Sequence, residues 1–256
     1  MHGMTKADRA TIRDRYGIED RWPVVCEPFV QWVIEDHFSA GRPPYEAAGV
    51  QVVPDVAPYE IMKIRLLNGS HQALAYFAYL CGYRLVHEAV QDELFRQFLR
   101  AYMRDEVAPT LPPVPGVDLD SYQDQLIQRF SNPAIRDTVA RLCEASSDRI
   151  PAFVLPAIRD QLASGGELKR SAAVVASWAR YAEGVDDRGE PIEVADRRAE
   201  ALTGRALRQR EEPDAFLADV ELFNGLPGEE RFVQAYREAL ASLHANGARA
   251  TLAALV

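Results

Sequence analysis

Three side chains able to move protons or hold hydrogen bonds stand close together in an otherwise apolar stretch. They are Lys63, Asn68 and His71, within YEIMKIRLLNGSHQALAYFAYLCGYRLVHE, residues 59–88. Ile64, Leu67, His71, Leu74, Ala78, Cys81 and Leu85 recur at alternating steps of three and four, which predicts one face of a long helix. His71 lies on that stripe, and Asn68, three residues earlier, is its neighbour. Burying either group without a hydrogen bond costs about 1–3 kcal/mol, so each needs a protein partner or a polar ligand. Lys63 precedes His71 by eight residues, about 12 Å along a helix axis. That is too far for direct pairing but within reach of a shared pocket, and a polyol or sugar with oxygens along its length would touch all three. Lysine suits proton transfer better than arginine, which is effectively never deprotonated. Only Lys6, Lys63 and Lys169 are lysines among the 29 basic residues, so the one inside an apolar helix stands out. Plainer readings stand beside this one: His71 as a satisfied core histidine, Asn68-Gly69 as a helix end or kink, and Glu60 with Lys63 as an ordinary surface pair.

The elements that would position these residues are mostly helices. From Pro58 onward the pattern is helical. Leu94, Phe98 and Tyr102 repeat every four residues, PTLPPVPGVDLD is a proline-rich connector, and SYQDQLIQRF resumes a helix. Asn132 and Pro133 read as the cap and first position of a helix whose apolar face is Ile135, Val139, Leu142 and Cys143. Further helices are expected at 153–163, 167–183, 193–210, 213–223 and 228–245, with Gly165, Gly184 and Gly247 as stops. Residues 1–50 differ. RWPVVCEPFVQWVIEDHF and GRPPYEAAGVQVVPDV hold short β-like runs broken by prolines and turn residues, among them Val50–Val53, and predict two or three short strands. The reading is a β-rich piece over 1–52 followed by a mainly α domain over 53–256.

Bulk properties narrow the function. A formal net charge of -9 and a pI near 5.2 argue against a general nucleic-acid or anionic-membrane surface. No run of 18 uncharged apolar residues and no apolar signal core near the N-terminus is present, which makes a cytoplasmic protein the expectation. Cys26, Cys81 and Cys143 are odd in number and far apart, so neither a disulfide framework nor a zinc site is expected. His37 after Ile34-Glu35-Asp36 reads as a polar histidine near a strand end rather than as a metal ligand.

MKIRLLNGSHQALAYFAYLCGYRLVHE resembles the signature of the polyol-specific long-chain dehydrogenases, the mannitol dehydrogenase family, whose K-x-x-x-x-N-x-x-H falls on Lys63, Asn68 and His71. DRWPVVCEPFVQWVIEDHF and PTLPPVPGVDLDSYQDQLIQRFSNPAIRDTVARLCEASSDRIP are similar to the same family, so the resemblance covers essentially the whole chain. It implies the multi-helical C-terminal dehydrogenase fold of the 6-phosphogluconate dehydrogenase type, preceded by strands belonging to a Rossmann-type domain. It also implies an NAD- or NADP-dependent alcohol dehydrogenase, without metal, interconverting a sugar alcohol and a ketose of the D-mannitol/D-fructose type. By the same resemblance Lys63 is the general base, Asn68 polarises the carbonyl oxygen, and His71 binds and orients the substrate. Glu60 exchanges protons with solvent, and Arg141 contacts the sugar. Burial on an apolar helix and nearby cations would bring a lysine into the working range, whereas Glu60 would oppose this, which favours Glu60 as a proton exit.

The sequence departs from the family in one large respect. It has no G-x-G-x-x-G, so the pyrophosphate site is expected in a nucleotide-binding domain supplied upstream or in trans. This chain alone is not expected to bind NAD or NADP tightly. Two competing readings are a hexuronate (fructuronate) reductase of the same family and a non-catalytic helical partner module. Trp22, Phe29, Trp32 and Ile34 need a cover, so self-association or a docked partner is expected.

Overall fold

A computed structural model describes residues 6–24 and 26–256; Val25, within the RWPVVCEPFVQWVIEDHF stretch, lies outside them. The chain is mainly helical with one two-stranded sheet. Helix α1 (Lys6–Tyr16) buries no side chain, and the preceding reading did not include it, because KADRATIRDRY has no apolar stripe. The strands are β1 (Val33–Glu35) and β2 (Gln51–Val53), parallel, with Val33 opposite Gln51 and Glu35 opposite Val53. His37 lies two residues past the end of β1 and is exposed.

The site lies on the helix that comes next. It consists of α2 (Ala57–Met62), a π turn over Lys63–Asn68, and α3 (Gly69–Leu80) in one run. The predicted single helix through residue 88 stops at Leu80. Gly82 takes a φ of +89°, a backbone conformation that favours glycine and ends the helix. Leu85 then bridges to Thr138, and the chain re-enters helix as α4 (Val86–Gln91). Asp92 caps α5 (Glu93–Ala101) by accepting from the Leu94 N–H. A second π turn, Tyr102–Val107, follows.

Asp118 caps α6 (Leu119–Phe130) through the Ser121 N–H. The expected start at Asn132-Pro133 is not a helix. Asn132 folds its side-chain oxygen onto the Ala134 N–H, a local turn that competes with helix, and α7 (Val139–Cys143) begins later under the Thr138 cap. The chain continues through α8 (Ser146–Phe153), α9 (Leu155–Ser164) and α10 (Lys169–Tyr181). Gly165 and Gly184 stop helices as expected, with φ of +73° and +82°.

Two expected helices are shorter: α11 (Ala199–Arg208) loses the 193–198 segment, and α12 (Val220–Phe223) is all that forms within 213–223. The last, α13 (Glu230–Ala253), is longer than expected. Gly247 kinks it at φ +81° rather than ending it, because Asp187 accepts from the Ala248 N–H and restarts the helix.

Every residue from Ser171 to Tyr181 is buried, as an all-round apolar helix requires, and α10 packs between α3 and α13 as the centre of the core. Its N-terminus is held by buried Glu106 of the second π turn, whose carboxylate accepts from the Arg170 and Ser171 N–H groups at 2.7 Å each. Desolvation raises the Glu106 pKa above the usual carboxylate range despite those bonds. Among the described residues no helix is long and apolar enough to cross a membrane.

Candidate functional site

The π turn determines what the Lys63–Asn68 spacing means. On an α-helix, five residues at 100° each advance about 500°, which leaves the pair about 140° apart. Here the Gly69 N–H reaches back five residues to the Ile64 carbonyl, the hydrogen bond of a π turn, whose wider winding narrows that angle. The turn is wedged in place. A Cβ on Gly69 would lie 3.2 Å from both the Tyr102 hydroxyl and the Phe153 carbonyl, tight enough that one of them would have to give by a few tenths of an ångström. Tyr102 opens the second π turn, and the two π turns pack against each other.

The predicted stripe reaches the core only in its middle, where Leu74 and Ala78 are fully buried, and its first half runs along the edge of the helix. Met62, Leu66, Ala73, Tyr76, Phe77 and Leu80 are fully buried, whereas Ile64, Leu67 and His71 are half-buried. Lys63 is exposed, contrary to its expected burial.

Three clefts share the predicted residues. Glu60 and Lys63 line an open cleft of about 390 Å³ with Tyr59 and Gln31. Asn68 and His71 line one of about 240 Å³ with Gln72, Arg141, Arg149 and Phe153. His71 and Arg141 also face a larger cleft of about 420 Å³, walled by Leu67, Phe130, Arg129 and Asp137 and closed on one side by Glu27 and Phe29. Asn68, His71 and Arg141 are thus brought together, while Glu60 and Lys63 sit together in the neighbouring cleft.

His71 stacks on Phe130 with ring centroids 4.4 Å apart. Burial lowers its pKa to about 4. Asp137 pulls the other way, and the Arg141, Arg129 and Arg149 guanidinium groups reinforce the lowering. The imidazole is therefore neutral at pH 7 and has both a donor and an acceptor to offer a hydroxyl. Asn68 makes no side-chain cap hydrogen bond to α3. Gln72 is fixed instead, donating to the Leu142 carbonyl at 3.2 Å and accepting from the Tyr76 hydroxyl at 2.7 Å.

Sequence reading missed Arg149, Asp137, Arg129 and Glu27. Arg149 donates to the Arg141 and Leu142 carbonyls, at 2.8 and 3.1 Å. Arg129 lies 4.3 Å over the Phe29 ring and 2.9 Å from Glu27. Only the Asp137–Arg141 spacing of four left a signal, the i,i+4 ion pair of a helix.

A dinucleotide pyrophosphate is held by a glycine-rich turn between a strand and a helix. After β1 the chain runs Asp36-His37-Phe38, and after β2 it runs Pro54-Asp55-Val56 into the six-residue α2. Neither turn forms such a cradle, so the described residues do not fit the phosphate part of a dinucleotide.

The family description "Mannitol dehydrogenase C-terminal domain" matches residues 55–244. Mannitol 2-dehydrogenase of Phaeosphaeria nodorum is 44% identical over 250 residues, covering 96% of this chain and 44% of that protein. Mannitol dehydrogenase 2 of Saccharomyces cerevisiae is 49% identical over 221 residues, covering 86% and 44%. Among solved structures, Pseudomonas fluorescens mannitol 2-dehydrogenase in ternary complex with NAD and D-mannitol superposes with a TM-score of 0.88 at 47% identity, covering 98% of this chain and 51% of that one. A substrate-free D-sorbitol dehydrogenase gives a TM-score of 0.88 at 29% identity, covering 98% and 52%. The chain spans about half the length of the relatives it matches.

Proposed function

The chain belongs to the mannitol dehydrogenase family, and from that premise we propose that it is the catalytic, substrate-binding half of an NAD-dependent polyol dehydrogenase that interconverts a sugar alcohol and a ketose, of the D-mannitol/D-fructose type. The observation that carries this reading is the cleft lined by Asn68, His71 and Arg141, with Glu60 and Lys63 lining a second cleft on the same helical run. In this reading Lys63 takes the proton of the reacting hydroxyl, and its exposure gives that proton a way out past Glu60. Asn68 donates to the oxygen as it becomes a carbonyl. Neutral His71 and the Arg141 guanidinium hold neighbouring hydroxyls, and Arg149 adds a second cationic donor to the same cleft. A bound nicotinamide would supply hydride acceptance. The nucleotide-binding domain that holds it is supplied upstream of these residues or in trans, since no phosphate cradle is formed among the described ones.

The test joins the chain to such a domain and follows D-mannitol oxidation. Lys63→Ala should lower kcat by about 10²–10⁴-fold with KM little changed, because a lost base acts on the transition state alone. Partial rescue by a small amine in the buffer would support the assignment. An unchanged kcat overturns it.

A further inference from the structure

Arg141 lines both clefts that hold His71, and about half of its side chain is exposed. A long exposed side chain has many rotamers open to it, and a ligand that needs one of them must order it first. Asp137 supplies that order before any ligand arrives. The Arg141 Nε donates to one Asp137 oxygen at 2.6 Å, and its Nη2 donates to the other. Although burial works against it, this bond holds the Asp137 carboxyl below the usual carboxylate range, so the pair is charged at neutral pH. Asp137 is itself fixed. Its carbonyl accepts from the Val86 N–H at 3.0 Å, the Val139 N–H donates to the Arg84 carbonyl at 3.0 Å, and Leu85 bridges to Thr138 between them. The Nη1 end of Arg141 makes no hydrogen bond among the described residues, and with the second N–H of Nη2 it forms an outer edge open to a ligand. That edge can meet two neighbouring hydroxyls or a carboxylate, so Asp137 sets where the guanidinium stands, not which oxygens it meets. Arg149, the other cation of the smaller cleft, is held separately, by the Arg141 and Leu142 carbonyls of α7.

We propose that Asp137 is a positioning residue of the substrate site: by holding Nε and Nη2 of Arg141 it presents the outer edge of that guanidinium to the polyol in advance of binding. This deepens the polyol reading and rests on it. Asp137 acts through Arg141 alone. A change that reached the site through α7 instead would move Arg149 as well, and that difference makes the role testable.

The experiment is a double-variant cycle on the purified chain, read by NMR. The Nε–H resonance of Arg141, assigned by its loss in Arg141→Ala, reports the restraint before any ligand is added. Its exchange with solvent should be slow in wild type and about tenfold or more faster in Asp137→Ala, the worth of a hydrogen bond to a charged group. Equal exchange in the two proteins overturns the proposal. Titration with D-mannitol then reads the consequence. Asp137→Ala should weaken binding about two- to tenfold, the worth of ordering one long side chain, and should change nothing further in an Arg141→Ala background. No weakening by Asp137→Ala, or the same weakening in both backgrounds, overturns the proposal; the second result would mean that Asp137 acts through α7. Faster Arg141 exchange in Asp137→Ala, in a chain whose wild type ignores mannitol, would sink the polyol reading and leave the hold of Asp137 on Arg141 standing. Far-UV circular dichroism checks that each variant is folded. Should Asp137→Ala not fold, Asp137→Asn, which keeps the shape and removes the charge, takes its place with the same expected directions.

Discussion

His71 is the residue whose environment has the clearest thermodynamic signature. Its pKa in the fold, about 4, lies below the ordinary histidine value of about 6.5. A base with a depressed folded value is protonated more readily in the unfolded chain. The stability it contributes is therefore fully present above about pH 6.5 and is lost as the pH falls towards 4. Over that window the wild type should lose up to about 3 kcal/mol more than His71→Gln. Urea unfolding of the two proteins at pH 7 and pH 4 measures the difference, and equal slopes would show that the imidazole is not held neutral. The residue types of the site were legible in the sequence: a lysine, an amide and an imidazole on one apolar segment. Their partners were not, since Arg129 meets Glu27 from 102 residues away and no local pattern encodes that contact. Arg149 was equally silent, because it is anchored on two backbone carbonyls.

At the scale of the element, the α2–α3 run was readable as helix but its phase was not. A wheel drawn with α-helical steps misplaces Lys63 relative to Asn68, because the chain winds as a π turn between them, and nothing in KIRLLN announces it. The clue lies in Gly69, which is placed where the Tyr102 hydroxyl and Phe153 carbonyl come closest. Gly69→Ala sets a helix-propensity gain of at most about 1 kcal/mol against an overpacking cost of about 1–3 kcal/mol. We expect net destabilisation of about 1 kcal/mol in chemical denaturation. In the chain joined to its nucleotide-binding partner we also expect a fall in turnover, because the turn that aims Lys63 must shift. A variant as stable and active as wild type would mean that the notch relaxes freely. Gly82 and Asn132 teach the same lesson from the other side. At both positions a local turn preference interrupts an apolar periodicity that ran on past it.

At the scale of the molecule, the helical body is closed around α10 while the N-terminal arm is not. Trp22 is 78% exposed, Val30 75% and Trp32 55%, beside a two-stranded sheet with no third strand among the described residues. Apolar groups gathered this way mark a contact surface. The purified chain should scatter light in a concentration-dependent manner, and the double variant Trp22→Ser/Trp32→Ser should scatter as a monomer; a monomeric wild type at tens of micromolar would count against this. The arm is nonetheless tied down at one place, where Arg129 grips both the Glu27 carboxylate and the Phe29 ring. To a protease, that grip is a boundary. Trypsin meets exposed Lys6, Arg9, Arg13, Arg15 and Arg21 ahead of it, and then no cleavable basic residue until Lys63, because Arg42 is followed by Pro43. Limited tryptic digestion should therefore trim the chain quickly to a fragment beginning at Trp22 and then pause, whereas a protease of broad specificity should cut on into the arm, and faster in Arg129→Ala.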